Sequence, residues 1–380
     1  MVVSIRQNQR VEAWPSVTAT ERQLLSLVSI GNDITQSDIV ARTDFSQQTV
    51  SRVVGDLVER GLLLQGERVS RGHRGQPSPL LTVNGQRLFI LGVSIMADAV
   101  SVTLVDFKGL ERGYFFAQPR PMSRSMVLDA VRGGFDRVCA EADVEPSRVL
   151  GIGIGISGFA LPGGRSFNPP HALDDWADID IAGVFQEVFQ RPAWADNDGN
   201  VAAIGESLVG VGRWAKNFAY LYIATGFGGG LVINGQLMRG THGNAGEFGV
   251  IFPTQLFTSP TLELLRHYFA IDGQPFETIA DMLEQMNMDA PAIENWLWRV
   301  KDSLSLVCCA CAGVVDPQAI VIGGRVPRRL AERMIERIDW RELPRRGVDL
   351  SRPRIVPSEA MGDVTALGAA IMPLKLSFFG

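Results

Sequence analysis

Three segments combine carboxylates, amides and glycines in ways that suit hydroxyl-rich or anionic ligands. Ala195-Asp196-Asn197-Asp198-Gly199-Asn200 stands at the end of an expected strand and the start of an expected helix, where an amide and a carboxylate can grip adjacent hydroxyls. Ala224-Thr225-Gly226-Phe227-Gly228-Gly229-Gly230 reads as a loop able to bring backbone N–H groups to an anion. His242-Gly243-Asn244-Ala245-Gly246-Glu247 adds another carboxylate in a glycine-rich context. Asp, Asn and Gly are also common turn formers, so no one segment identifies a ligand by itself. A different chemistry is offered near the N-terminus by Ser46, Gln47, Gln48, Thr49, Ser51 and Arg52. Gln pairs with adenine N6/N7 and Arg with guanine O6/N7, while Ser and Thr reach bases or phosphates.

The elements that position this second group are three short helices followed by a hairpin, from Thr20 to Val83. Leu24, Leu25, Leu27 and Val28 give the first helix an apolar face, with Thr20 as its cap and Gly31-Asn32 as its end. A second helix runs from about Gln36 to Thr43. After the turn Asp44-Phe45-Ser46, a third helix is expected with Ser46 as N-cap and Phe45 and Val50 in the positions of a hydrophobic staple. Val50, Val53, Val54 and Leu57 then face inward and the polar group faces out. Two helices joined by a tight turn, the second polar and basic at its start, form the geometry of a helix-turn-helix reading the major groove. Leu62–Leu64 and Leu80–Val83 bracket a basic loop, residues 68–77, expected to act as a wing: Arg71, Arg74 and Gln76 contact phosphates or enter a narrow minor groove. A polar helix face that is merely solvated is the plain alternative, and His73 alone carries no weight.

Charge supports the division. The chain of 380 residues has a formal net charge of −5, which taken alone argues against nucleic acid. Residues 1–88, however, carry ten Arg against eight acids, and no acid occurs between Glu67 and Asp98. A basic loop is therefore set on an acidic protein. At 46% hydrophobic and 20% charged the composition is that of a folded globular chain. Four cysteines, three of them clustered at 308, 309 and 311, are too few for a secreted disulfide framework. No apolar run follows Arg6 and Arg10, and the uncharged stretches 149–164 and 303–315 are shorter than the ~18 residues a bilayer span needs. A soluble cytoplasmic protein with no membrane partner is expected.

From Arg87 onward the pattern changes to short strands. Leu88–Ile95, Ala99–Val105 and Glu111–Phe116 form an expected meander, followed by a helix over 122–143 and a strand Val149–Ile156. A second cycle has strands at Ala219–Ala224, Gly230–Ile233 and Gln236–Arg239, then helices, then Ala319–Ile322. Two similar halves imply an α/β fold with a duplicated sheet and a cleft between two lobes, where small ligands bind. The expected division is 1–84 for the winged helix-turn-helix and 85–380 for the ligand unit. Within the latter, one lobe takes 85–215 with a C-terminal helix 363–378, and the other takes 216–362.

Taken in order, Gly151-Ile152-Gly153-Ile154-Gly155-Ile156-Ser157-Gly158, Asn197-Asp198, Ala245-Gly246-Glu247-Phe248-Gly249 and Asp316-Pro317-Gln318-Ala319-Ile320-Val321-Ile322-Gly323-Gly324 closely resemble the ROK family of repressors and sugar kinases, over about 18–378. The resemblance implies the actin-like, hexokinase-like fold. It implies sugar contacts from Asn197, Asp198, Glu247 and Glu263, with Gly164, Arg165 and Asn168 from the preceding loop, and it makes Asp198 the position of the family's general base.

Two departures stand out. Where ROK kinases hold ATP phosphates on an Asp-x-Gly-Gly-Thr loop, this chain has Ser94-Ile95-Met96-Ala97-Asp98, with no glycine and with a carboxylate in the path of the phosphates. Where the family places a zinc-binding His and Cys set, Val250 replaces the His and 253–263 holds no Cys. Neither ATP nor zinc is therefore expected as a cofactor, no metal site is expected, and Cys308, Cys309 and Cys311 are read as core. The implied function is a transcription regulator, a repressor by expectation, that binds operator DNA as a homodimer or dimer of dimers and responds to a sugar. The alternatives are a sugar kinase with a DNA-binding appendix, and a regulator whose cleft is vestigial.

Overall fold

A computed structural model describes residues 14–31, 34–69, 78–340 and 351–379. The N-terminal unit comprises α1 (Ala19–Ile30), α2 (Gln36–Ala41), α3 (Gln47–Glu59) and the antiparallel pair β1 (Leu63–Val69) and β2 (Ser78–Val83). The cap of α1 is Thr18, not Thr20: its hydroxyl accepts from Glu21 N while the Glu21 carboxylate accepts from Thr18 N, a capping box that satisfies two otherwise orphaned donors. Ser46 caps α3 as expected, accepting from Thr49 N. Val50, Val53, Val54 and Leu57 are buried and Phe45 packs against them. The second helix stops at Ala41, two residues short of the expected end, a difference typical of fraying helix termini.

The rest is an α/β fold with a duplicated sheet. The first half contains β3 (Phe89–Ile95), β4 (Val100–Asp106), β5 (Glu111–Ala117), α4 (Arg124–Glu141), β6 (Val149–Ile156), the small hairpin β7 (Phe159–Ala160) and β8 (Phe167–Asn168), α5 (Ile181–Phe189), β9 (Ala193–Asn197) and α6 (Asp198–Val209). The second contains β10 (Phe218–Ile223), β11 (Phe227–Ile233), β12 (Gln236–Met238), α7 (Leu262–Ile271), α8 (Ile279–Gln285), α9 (Pro291–Val315), β13 (Ala319–Gly324), α10 (Arg328–Ile335) and β14 (Arg354–Pro357). The chain closes with α11 (Val364–Ser377). The two sheets run β5-β4-β3-β6-β9 and β12-β11-β10-β13-β14. Each has two antiparallel pairings and then two parallel ones, so the internal duplication read from the strand pattern is present in the topology.

Glycines decide how closely the layers approach. A methyl on Gly92 or Gly153 would overlap the backbone carbonyl of Ala366 or Ala369, so α11 lies directly on β3 and β6. Gly153→Ala should therefore destabilise the protein by about 3 kcal/mol or more, because backbone cannot move aside as a side-chain tip can. Urea unfolding midpoints check this.

One apolar core runs from the N-terminal unit into the ligand unit. It joins Leu24, Val28, Val54 and Leu81 to Phe107, Ile371, Phe378 and Phe379. Trp14 is wedged between Trp194 and Phe378, with ring centroids 5.0 and 5.5 Å away. No helix among the described residues is long and apolar enough to cross a membrane.

Candidate functional site

β9 runs into α6 without an intervening loop, which sets Asn197 and Asp198 at the carboxyl edge of the first sheet and the start of a helix. Asn197 caps that helix: its Oδ1 accepts from Asn200 N at 3.1 Å while its Nδ2 donates to the Gly158 carbonyl at 2.8 Å. Asp198 is buried, with Oδ2 accepting from Ser157 Oγ at 2.7 Å and Oδ1 from Gly199 N at 2.9 Å. Loss of hydration pushes its carboxyl up to about 7, nearby Glu247 adds to the rise, and the Ser157 and Gly199 bonds oppose it. Glu247 is half-buried against Gly228, and burial pushes its carboxyl up too. Two carboxylates with raised proton affinity, beside an amide whose orientation is locked, make a cluster suited to paired hydrogen bonds with vicinal hydroxyls.

Segments from the second half close over this cluster. Arg239 Nη1 reaches Asp196 Oδ2 at 2.5 Å, and Asn244 pairs with both backbone groups of Ala160, at 2.9 and 3.0 Å. Ser157, Asp196 and Asn244 lay in motifs visible in the sequence but had no assigned role, whereas Arg239 carried no local signal. Asn168 sits on β8 opposite Phe159, and a methyl on Gly158 would press on its backbone. Thus β8 neighbours the carbonyl that holds Asn197. Gly164 and Arg165 are exposed at the turn of that hairpin, and no hydrogen bond or ion pair among the described residues links them to Asp198. Glu263 departs most from expectation. It sits in the first turn of α7 with its carboxylate half-exposed and held by Arg266 at 2.5 and 3.1 Å, and no hydrogen bond or ion pair among the described residues joins it to Asn197, Asp198 or Glu247.

Most of the segment 224–230 is strand, where its composition suggested a loop. Ala224, Thr225 and Gly226 make the turn, and Phe227–Ile233 is a strand paired with β10. Its glycines are needed for contact: a methyl on Gly230 would lie 2.6 Å from Ala203 Cβ, and one on Gly199 2.8 Å from Gly229, so α6 rides directly on β11. Asp98 also differs from a bare repelling charge. Arg325 Nη1 meets its Oδ1 at 2.5 Å, Ala280 N donates to its Oδ2 at 2.9 Å, and both side chains of the ion pair are only about one-tenth exposed. Beside this pair a cavity of about 990 Å³ opens between the sheets, lined in part by Met96, Glu111, Tyr114, Tyr222, Arg325 and Asp363.

Cys308 and Cys311 are buried in α9, and burial pushes both thiols up, away from the thiolate that binds metal. Among the described residues no group of three or more His, Cys, Asp or Glu is placed to hold a metal ion.

In the N-terminal unit, Ser46, Gln47, Gln48, Ser51 and Arg52 form an exposed face at the start of α3, with Thr49 half-buried beside them. Arg52 meets Asp56 at 3.4 Å with both side chains largely in solvent, a pair too weak to hold the guanidinium back from another partner. Arg71, Arg74 and Gln76 lie outside the described residues. Arg68, at the end of β1, is described.

Comparison with known proteins agrees with both halves. Residues 90–259 match the ROK family and residues 16–74 match the MarR family. An uncharacterised protein of Sinorhizobium fredii is 26% identical over 96% of this chain and 93% of its own length. The xylose repressor of Bacillus subtilis is 25% identical over 60% of this chain, which spans 59% of the repressor's length. A glucokinase of Halalkalibacterium halodurans is 39% identical over 33% of this chain and 38% of its own. Among solved structures, a ROK family transcriptional regulator described as a homologue of the Escherichia coli MLC protein superposes with a TM-score of 0.67 at 17% identity, covering 94% of this chain and 96% of that one. A ROK family glucokinase of Streptomyces griseus gives 0.61 at 18% identity, over 75% and 98%.

Proposed function

Since the chain belongs to the ROK family and carries a MarR-type winged helix at its N-terminus, we propose that it is a sugar-responsive transcription regulator, acting as a repressor. The observation that carries the reading is the shared core: the unit that holds α3 and the sheet that holds Asn197-Asp198 are packed through one continuous apolar cluster. A rearrangement of the cleft is thereby felt at the reading helix. Gln47, Gln48, Thr49, Ser51 and Arg52 read base edges in the major groove, and Ser46 caps the helix that presents them. Arg71, Arg74 and Gln76 bind the sugar-phosphate backbone or the minor groove. Two copies in a dimer read two half-sites, and a sugar that binds one cleft geometry better than the other changes the spacing of the two reading helices. Asn197, Asp198 and Glu247 hold the sugar hydroxyls, with Asn168 at their margin. Glu263, Gly164 and Arg165 join them only if the ligand draws the α7 start and the β7–β8 turn inward.

The same geometry argues against phosphoryl transfer. Asp198 occupies the base position, but the phosphate-holding glycines are replaced and Asp98 and Arg325 close on each other beside the cavity. A base with no positioned phosphoryl donor serves binding alone. Kinase activity is the second reading, favoured by the size of the neighbouring cavity and by the similarity to a glucokinase over part of the chain. Selection of bound duplexes from a randomised DNA library, together with an ATP-dependent assay over a hexose and pentose panel, separates the two. A recovered consensus without turnover supports the regulator, and turnover of any sugar without a consensus supports the kinase.

A further inference from the structure

A second cavity, of about 580 Å³, lies at the junction of the winged unit with the ligand unit, between α1 and the ends of α6 and α11. Its volume falls within the range of small-molecule sites. Three cations line it, Arg22 from α1 and Lys216 and Lys375 from the ligand unit, and no carboxylate does among the described residues. Their known bonds are to neutral groups. Lys375 Nζ donates to Ser207 Oγ and to the Gly235 carbonyl, each at 2.8 Å, and Lys216 Nζ donates to the Gly212 carbonyl at 3.1 Å. Arg22 Nε is buried with no hydrogen-bond partner. Burial, with Lys216 close by, pushes the Lys375 ammonium down to about 8.

Arg22 and Lys375 are partly buried and Lys216 is exposed at the rim; a partly buried cation without a counter-charge is costly, and the cost is relieved when an anion completes its hydrogen bonds. This arrangement is unlike other arginines of the chain, such as Arg60, Arg112, Arg239 and Arg325, each of which meets a carboxylate. Much of the remaining wall is apolar, with Leu27, Ile30, Leu208 and Phe379. A guanidinium fork and two ammonium groups match the several acceptor oxygens of a phosphate, and the apolar wall matches a small organic body attached to it.

We propose that this junction binds a phosphorylated small molecule, which bridges the winged unit and the ligand unit. The site is distinct from the Asp198 cluster and does not depend on it. Because Arg22 belongs to the DNA-binding unit and the two lysines to the other, the ligand fixes one arrangement of the pair. By linkage, it changes operator affinity by the same factor by which operator changes its own.

Calorimetric titration of the full chain with inorganic phosphate, phenyl phosphate and glucose 6-phosphate tests this, using the wild type, Arg22→Gln, Lys216→Gln and Asp198→Asn. Thermal unfolding establishes that each variant is folded. The expected result is binding of phenyl phosphate and glucose 6-phosphate, competed by inorganic phosphate and weakened at least about tenfold by Arg22→Gln and by Lys216→Gln. Absence of binding by all three probes overturns the proposal. So does binding that Arg22→Gln and Lys216→Gln leave intact, and so does binding of glucose 6-phosphate alone that Asp198→Asn removes, which would place it in the sugar cleft.

Discussion

Replacing Gln47, Gln48 and Arg52 together with Ala should lower affinity for a selected operator by about 100-fold or more while leaving binding to unrelated duplex nearly unchanged. The size follows from the chemistry of base recognition: a bidentate contact contributes roughly 1–3 kcal/mol of discrimination, and two such losses already reach that factor. The side chains are exposed on one face of α3, opposite the buried Val50, Val53, Val54 and Leu57, so truncation does not disturb the core. Removing Arg71 and Arg74 should act differently. Binding to every duplex weakens and the dependence of affinity on salt becomes shallower, because phosphate contacts release counterions and carry no sequence information. Fluorescence anisotropy with operator and scrambled duplexes at several salt concentrations distinguishes the two outcomes.

The second large effect is expected at Asp198. Asp198→Asn keeps the side-chain shape but removes the charged acceptor, and sugar affinity should fall about 10- to 100-fold, as loss of hydrogen bonds to a charged group implies. In the wild type, sugar binding should strengthen as pH rises through about 7, where Asp198 ionises and becomes the better acceptor for hydroxyl donors. In the variant that rise should disappear. Stability has the opposite sign. The folded-state value of Asp198 lies above its usual value of 3.8, so folding favours the protonated form. Its contribution to the stability of the ligand-free protein is present below about pH 4 and is lost as pH rises through about 7, and Asp198→Asn should flatten that part of the profile. Sugar titrations and urea unfolding between pH 5 and 9 measure both.

Local patterns made much of this legible in the sequence. The helical spacing of Val50, Val53, Val54 and Leu57 fixes which face of α3 is polar, and Ser46 marks its start, so the reading face follows from sequence distance alone. The same rules, applied one step too late, placed the cap of α1 at Thr20. The Thr-x-x-Glu signature of Thr18 and Glu21 was present, but it lies ahead of the first apolar residue of the helix. What could not be read is contact between distant parts of the chain. Gly228-Gly229-Gly230 looked like a loop because glycines commonly are, and only the packing of α6 on β11 explains why a strand needs them. Asp98 meets Arg325 across 227 positions, and Arg239 meets Asp196 across 43. Glu263 matched a family position in sequence, yet in the fold its carboxylate goes to Arg266 three residues away. Motif order thus revealed the fold and the Asn197-Asp198 pair, while the partners that lock the cleft depend on tertiary placement.

Coupling between the cleft and the reading helix is read from operator affinity with and without a sugar identified by thermal shift across a panel. A sugar bound at Asn197, Asp198 and Glu247 should change wild-type operator affinity by about 5- to 150-fold, the range of ordinary coupling, and Asp198→Asn should abolish the change while leaving sugar-free operator binding intact. A sugar that binds the protein yet leaves operator affinity the same would contradict that coupling.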